Sequence, residues 1–203
     1  MEPAVPLRVI GVVRTGHSEL AATPIQAGLN RAEQGILEIA ARYRAGLEGL
    51  AGFDYLWLLT WLHRLATPGS DPPLRQVPFL LQNEQREMGV FATRSPRRVN
   101  PIGLSLVRIL EVTGQAIRFA GVDLVDGTPV IDLKPYVTPF DRPAGELRCG
   151  WYDQVTIGDG VPPEQLGRGR PPWVSWAASC TIRLSPADSA GPGGGLCAAC
   201  ALA

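Results

Sequence analysis

Apolar and polar positions alternate through most of the first 140 residues, in runs too short for long helices. Leu7 to Val13 (LRVIGVV) predicts a first strand and Gly35 to Ile39 a second. Phe53 to His63 is dense in leucine and aromatic residues and predicts a buried strand. Further strands are expected over 89–94, 103–113, 115–122 and 129–134. Within 115–122, Ile117 and Phe119 alternate with Arg118 and Ala120. Tyr43, Leu47 and Leu50 recur at helical spacing, so one helix is expected over 40–50, ending near Gly52. Residues 23–28, and 66–86 with its four prolines, read as loops. Six or seven short strands with one helix predict a mainly β fold, either an antiparallel barrel or a sandwich.

The pattern changes near residue 145. About a quarter of the residues from Glu146 to Ala203 are Gly or Pro, which interrupts any regular period. The expected organisation is one folded domain over 5–145 and an irregular, loosely ordered extension over 146–203. The hydrophobic share is 45%, enough for a core, and the net charge is zero. The pI of about 6.7 lacks the global basic excess usual in nucleic-acid binders, so any RNA contact has to come from a local patch. Arginine supplies all the basic side chains except Lys134.

The N-terminus has no secretory pattern, and the longest apolar run, Tyr55 to Leu62, is far too short to span a bilayer. A soluble cytoplasmic protein with no membrane contact is expected. Cys149, Cys180, Cys197 and Cys200 all lie in the last third. Cys197-Ala-Ala-Cys200 is half of a zinc knuckle without a second pair, and only two histidines exist, so no metal is expected.

The densest chemistry lies in Val90 to Ile109, VFATRSPRRVNPIGLSLVRI. Arg94, Arg97 and Arg98 share a loop with no acid. Pro96 and Pro101 stiffen it and push Ser95 and Asn100 toward extended geometry. Such a loop holds its cations in place for an anionic or planar ligand. Asp123 to Pro129 (DLVDGTP) is a second dense segment, with Asp126-Gly127 as turn chemistry. In a strand Asp132 and Lys134 share one face, which suits a solvated ion pair. The common nucleotide and hydrolase signatures are absent: no G-x-G-x-x-G after a strand, no P-loop and no G-x-S-x-G elbow.

Together, Ile10–Thr15, Thr23–Gln26, Phe53–His63, Val90–Ser105, Asp123–Pro129 and Asp132–Tyr136, in that order, resemble the TsaA-like family over about residues 7–140. The resemblance implies a small antiparallel β-barrel, to which the pattern of this chain adds one short helix and an irregular C-terminal extension. It implies a homodimer that binds S-adenosylmethionine (SAM) near the subunit interface. The implied activity is methylation of the exocyclic amine of threonylcarbamoyladenosine beside the tRNA anticodon. Other acceptors for the methyl group, or a non-catalytic SAM-binding module, are the alternatives. Pro24, Ile25, Gln26, His63, Arg64, Arg94, Leu104, Leu124, Val125, Asp126 and Gly127 would touch SAM. Arg97, Arg98, Asn100, Lys134 and Tyr136 would meet the RNA of the anticodon loop. A carbamoylated amine is a poor nucleophile, so a proton acceptor would help, with Asp126, Asp132 and His63 as candidates. Val99 and Gly16 stand where the family usually has proline.

Overall fold

The computed structural model describes residues 5–65 and 72–155. Eight strands follow in chain order: β1 (Gly11–Arg14), β2 (Gln34–Ile39), β3 (Tyr55–Trp61), β4 (Arg75–Gln76), β5 (Met88–Gly89), β6 (Ile102–Val112), β7 (Ala116–Ala120) and β8 (Pro129–Pro135). Six of them close into an antiparallel barrel in the order β1-β2-β7-β6-β3-β8, and β4 and β5 pair as a separate two-stranded ribbon. The mainly β barrel expected from the sequence is therefore the fold.

Strand alternation fills the barrel. Leu56 and Leu58 of β3, Val107 of β6, Ile117 and Phe119 of β7, and Val13, Leu37 and Val130 point inward and are fully buried. Gly35 gives Phe119 its space: a Cβ there would lie 2.5 Å from the ring. Gly103 admits Thr60 in the same way, its Cβ position lying 2.3 Å from Thr60 Oγ1.

Three local expectations are corrected. The 40–50 segment is not an α-helix but a 3-10 helix over Ala41–Leu47. Gly49 then turns the chain at φ 81°, where a side chain would be strained. Leu47 is buried, and Tyr43 and Leu50 pack against the core as their spacing predicts. The 89–94 run is not a strand. Beyond the two-residue β5, Val90–Ala92 form a 3-10 turn, because both the amide and the hydroxyl of Thr93 bond back to the Val90 carbonyl, at 3.2 and 2.9 Å. The 66–86 stretch is not all loop: β4 and a 3-10 helix over Phe79–Glu84 lie in it. The α-helix among the described residues is instead a single turn, α1 (Thr138–Asp141).

A 3-10 turn over Gly150–Gln154 returns to the barrel and buries Trp151. The extension beyond residue 155 lies outside the described residues, as do Cys180, Cys197 and Cys200 and the CxxC spacing. No described helix is long and apolar enough to cross a membrane.

Candidate functional site

At one end of the barrel the loops after β1, β3, β5 and β7 enclose a cleft of about 1150 Å³. Its charged lining is five arginines (Arg31, Arg64, Arg94, Arg97 and Arg98) and one carboxylate, Asp123. A chain with zero net charge thus concentrates positive charge in one concave place, as a local anion or RNA site requires.

Arg94 ties the cleft together. Its Nε donates to Gln26 Oε1 at 2.9 Å and its Nη2 to the Leu104 carbonyl at 3.3 Å, joining the 90–101 loop to the 23–28 loop and to β6. Gln26 is held in turn by its Nε2, which donates to the Ile25 carbonyl at 2.8 Å. Beneath this bridge sits Asp123. Its carboxylate accepts from Ser105 Oγ at 2.8 Å and from the Ala27 amide at 3.0 Å. Burial pushes the Asp123 carboxyl above the usual range, while the Ser105 and Ala27 hydrogen bonds and the Arg94 charge pull it back.

His63 follows β3 and lines the same cleft. Its Nδ1 is buried and has no hydrogen-bond partner. Burial, and then the Arg64 charge beside it, lower its pKa against an opposing hydrogen bond to the Trp61 backbone. The lowered value favours the neutral imidazole, the form that can accept a proton. Arg64 donates to the Ser18 carbonyl, which fixes the loop after β1 across the opening.

The structure brings together Pro24, Ile25, Gln26, His63, Arg64, Arg94, Leu104, Leu124 and Val125, with Arg97 and Arg98 beside them. Arg98 Nη1 donates to the Thr93 carbonyl at 3.2 Å. The other expected site residues do not line the cleft. Asp126 caps the turn outside it, accepting from the Thr15 amide at 3.1 Å with Arg14 at 3.7 Å, and Gly127 completes that turn at φ 79°. Asp132 and Lys134 form the outward ion pair that their spacing suggests, at 3.0 Å. Tyr136 packs on Trp57 with ring centroids 6.1 Å apart, and Asn100 is exposed on the loop's outer side. Asp123 and Ser105 line the cleft although neither is among the individual site residues expected from the sequence. The available signal was a polar residue at an inward position of β6 and an acid set between Val122 and Leu124, both apolar.

The cleft combines apolar surface from Ile25, Leu104, Leu124 and Val125 with guanidinium, amide and imidazole groups. That mixture fits SAM, which carries a purine, a carboxylate and a sulfonium centre: apolar walls suit the purine, and arginine suits the carboxylate.

Residues 12–142 match the family model described as the tRNA-methyltransferase O N-terminal domain. A protein of Pyrococcus abyssi named "probable S-adenosyl-L-methionine-binding protein" is 36% identical over 147 residues, covering 72% of this chain and 76% of the relative. The tRNA (adenine(37)-N6)-methyltransferase of Escherichia coli K12 is 43% identical over 137 residues, 64% of this chain and 57% of the relative. A crystal structure of TrmO from Pseudomonas aeruginosa superposes with a TM-score of 0.58 at 34% identity, covering 73% of this chain and 62% of that one. The chain thus spans less than two thirds of the last two.

Proposed function

From the premise that this chain belongs to the tRNA-methyltransferase O N-terminal-domain family, we propose that it is a SAM-dependent methyltransferase acting on the exocyclic N6 of adenine 37 in tRNA, and on its threonylcarbamoylated form in particular. The observation that carries the reading is the Arg94 bridge, which joins Gln26 and Leu104 over Asp123 inside an arginine-rich cleft. Such a substrate implies a cytoplasmic site of action.

When bound, SAM supplies an electrophilic methyl on its sulfonium. The protein's part is chiefly positioning. Arg94 and Gln26 would hold the cofactor against the apolar wall of Leu104, Leu124 and Val125 and so orient it for transfer. Of the three candidate proton acceptors, His63 alone lines the cleft. Transfer of the methyl from sulfur to N6 would release the amine's proton, for which the His63 imidazole lining the cleft is the acceptor. Asp126 and Asp132 serve the fold: one caps a turn, the other pairs with Lys134. Arg97 and Arg98 position phosphates of the RNA.

The reading includes a homodimer. Trp57, Leu59 and Trp61 of β3 point outward, opposite Leu106, Leu104 and Ile102 of β6, and Tyr55 beside them lies opposite Arg108. An outer barrel face this apolar and aromatic suits a subunit interface. Ile102 and Leu104 also line the cleft, so a second copy on this face would stand at its edge.

The test is titration calorimetry with SAM, followed by methyl transfer to tRNA. SAM binding that Arg94→Ala leaves unchanged would contradict the assignment of the bridge. Transfer to another acceptor is the second reading, one that the same arginine-rich cleft would serve. Nucleoside mass spectrometry separates the two.

A further inference from the structure

The cleft, at about 1150 Å³, exceeds the roughly 300–1000 Å³ of ordinary small-molecule sites, so a cofactor leaves part of it open. Apart from the residues assigned to SAM, its lining carries an aromatic wall of Phe79, Trp151 and Tyr152. Two of these belong to Gly150–Gln154, beyond the 12–142 match.

This wall is held on the arginine loop. Trp151 Nε1 donates to the Ala92 carbonyl at 2.8 Å, two residues before Arg94. The Trp151 side is buried, and the ring of Tyr152 lies on it, with centroids 3.8 Å apart and planes 25° from parallel. Tyr152 is partly exposed and faces the cleft. At the far end of the turn, the Arg86 guanidinium reaches Gln154 Oε1 at 3.4 Å. The result is a supported aromatic ring beside a cluster of arginines. Proteins present that combination to single-stranded RNA, stacking a splayed base on the ring while cations take the neighbouring phosphates.

We propose that Tyr152, backed by Trp151, is the stacking platform for the acceptor nucleobase, so that the segment after the family domain helps to select the RNA substrate. The proposal rests on the methyltransferase reading above and deepens it.

The experiment uses the full chain and two probes: SAM by calorimetry, and a synthetic anticodon stem-loop RNA by fluorescence anisotropy. Tyr152→Ala should weaken RNA binding by about 5- to 150-fold, the range of one lost base stack, and leave SAM affinity unchanged. Tyr152→Phe keeps the ring and should bind RNA like the wild type. Tyr152→Leu keeps an apolar contact with Trp151, guarding against simple loss of fold, and should show the alanine variant's defect. Wild-type RNA affinity in the alanine or leucine variant overturns the proposal. So does lost SAM affinity with RNA binding intact, which would assign the ring to the cofactor's purine. Failure of the underlying reading shows separately, as a wild-type chain that binds neither probe.

Discussion

Arg94, His63 and Asp123 carry the site at the level of single residues. Arg94→Ala removes the charged group that bridges Gln26 and Leu104 and should weaken SAM binding by about 10- to 150-fold, the range of one charged hydrogen bond at roughly 1.5–3 kcal/mol. Calorimetry reads this directly. Because His63 has a lowered pKa, its neutral form contributes stability that is present above the ordinary histidine range and lost as pH falls through the lower folded value. A His63 base makes the transfer rate follow the same direction, falling on the acid side. His63→Gln should lower kcat by about 100-fold or more and flatten that acid limb, with SAM affinity little changed. A full acid limb in the variant would assign the proton to another group. Asp123 has the opposite sign: its raised pKa gives a contribution complete below the unfolded value and lost as pH rises through the folded one. Asp123→Ala leaves the Ala27 amide and the Ser105 hydroxyl without their acceptor and should cost about 1–3 kcal/mol in urea unfolding, whereas Asp123→Asn keeps an acceptor and should cost less. The motifs made Arg94, Gln26 and His63 legible in the sequence. Asp126 and Asp132 look like chemistry in one dimension, but Asp126 meets Thr15 and Arg14, which are more than a hundred residues away, and Asp132 points out of the barrel.

Among the elements, period-two alternation located the barrel strands well, because a closed barrel imposes an inside and an outside on every strand. It failed at 89–94. There Val90 is buried and Phe91 is 76% exposed, yet the run follows a turn set by Thr93, a local side-chain bond that apolar patterning does not register. It failed again at 40–50, where Leu47 keeps its buried place but the chain winds more tightly than an α-helix and is ended by Gly49. The packing of β2 against β7 gives a sharp test. Gly35→Ala would push a methyl to within 2.5 Å of the Phe119 ring, which is fully buried, so the barrel should lose about 1–3 kcal/mol by denaturant titration. A midpoint equal to the wild type's would show that Phe119 yields freely.

At the scale of the whole molecule, a neutral chain places five arginines in one cleft and an apolar face beside it. Trp57→Glu sets a charge in that outer face and should convert a dimer into a monomer by light scattering at micromolar concentration. A wild-type chain already monomeric there would remove the dimer from the account. The cleft's positive charge was foreseeable from the arginine loop, but the return of residues 150–154 to cover it was not, since only the folded chain places Trp151 beneath Ala92. The central claim, methyl transfer to adenine 37, is tested most directly by incubating the full chain with SAM and tRNA and analysing the nucleosides by mass spectrometry. One added methyl on threonylcarbamoyladenosine is expected, dependent on SAM and lost with Arg94→Ala. SAM binding with tRNA nucleosides unchanged would contradict it.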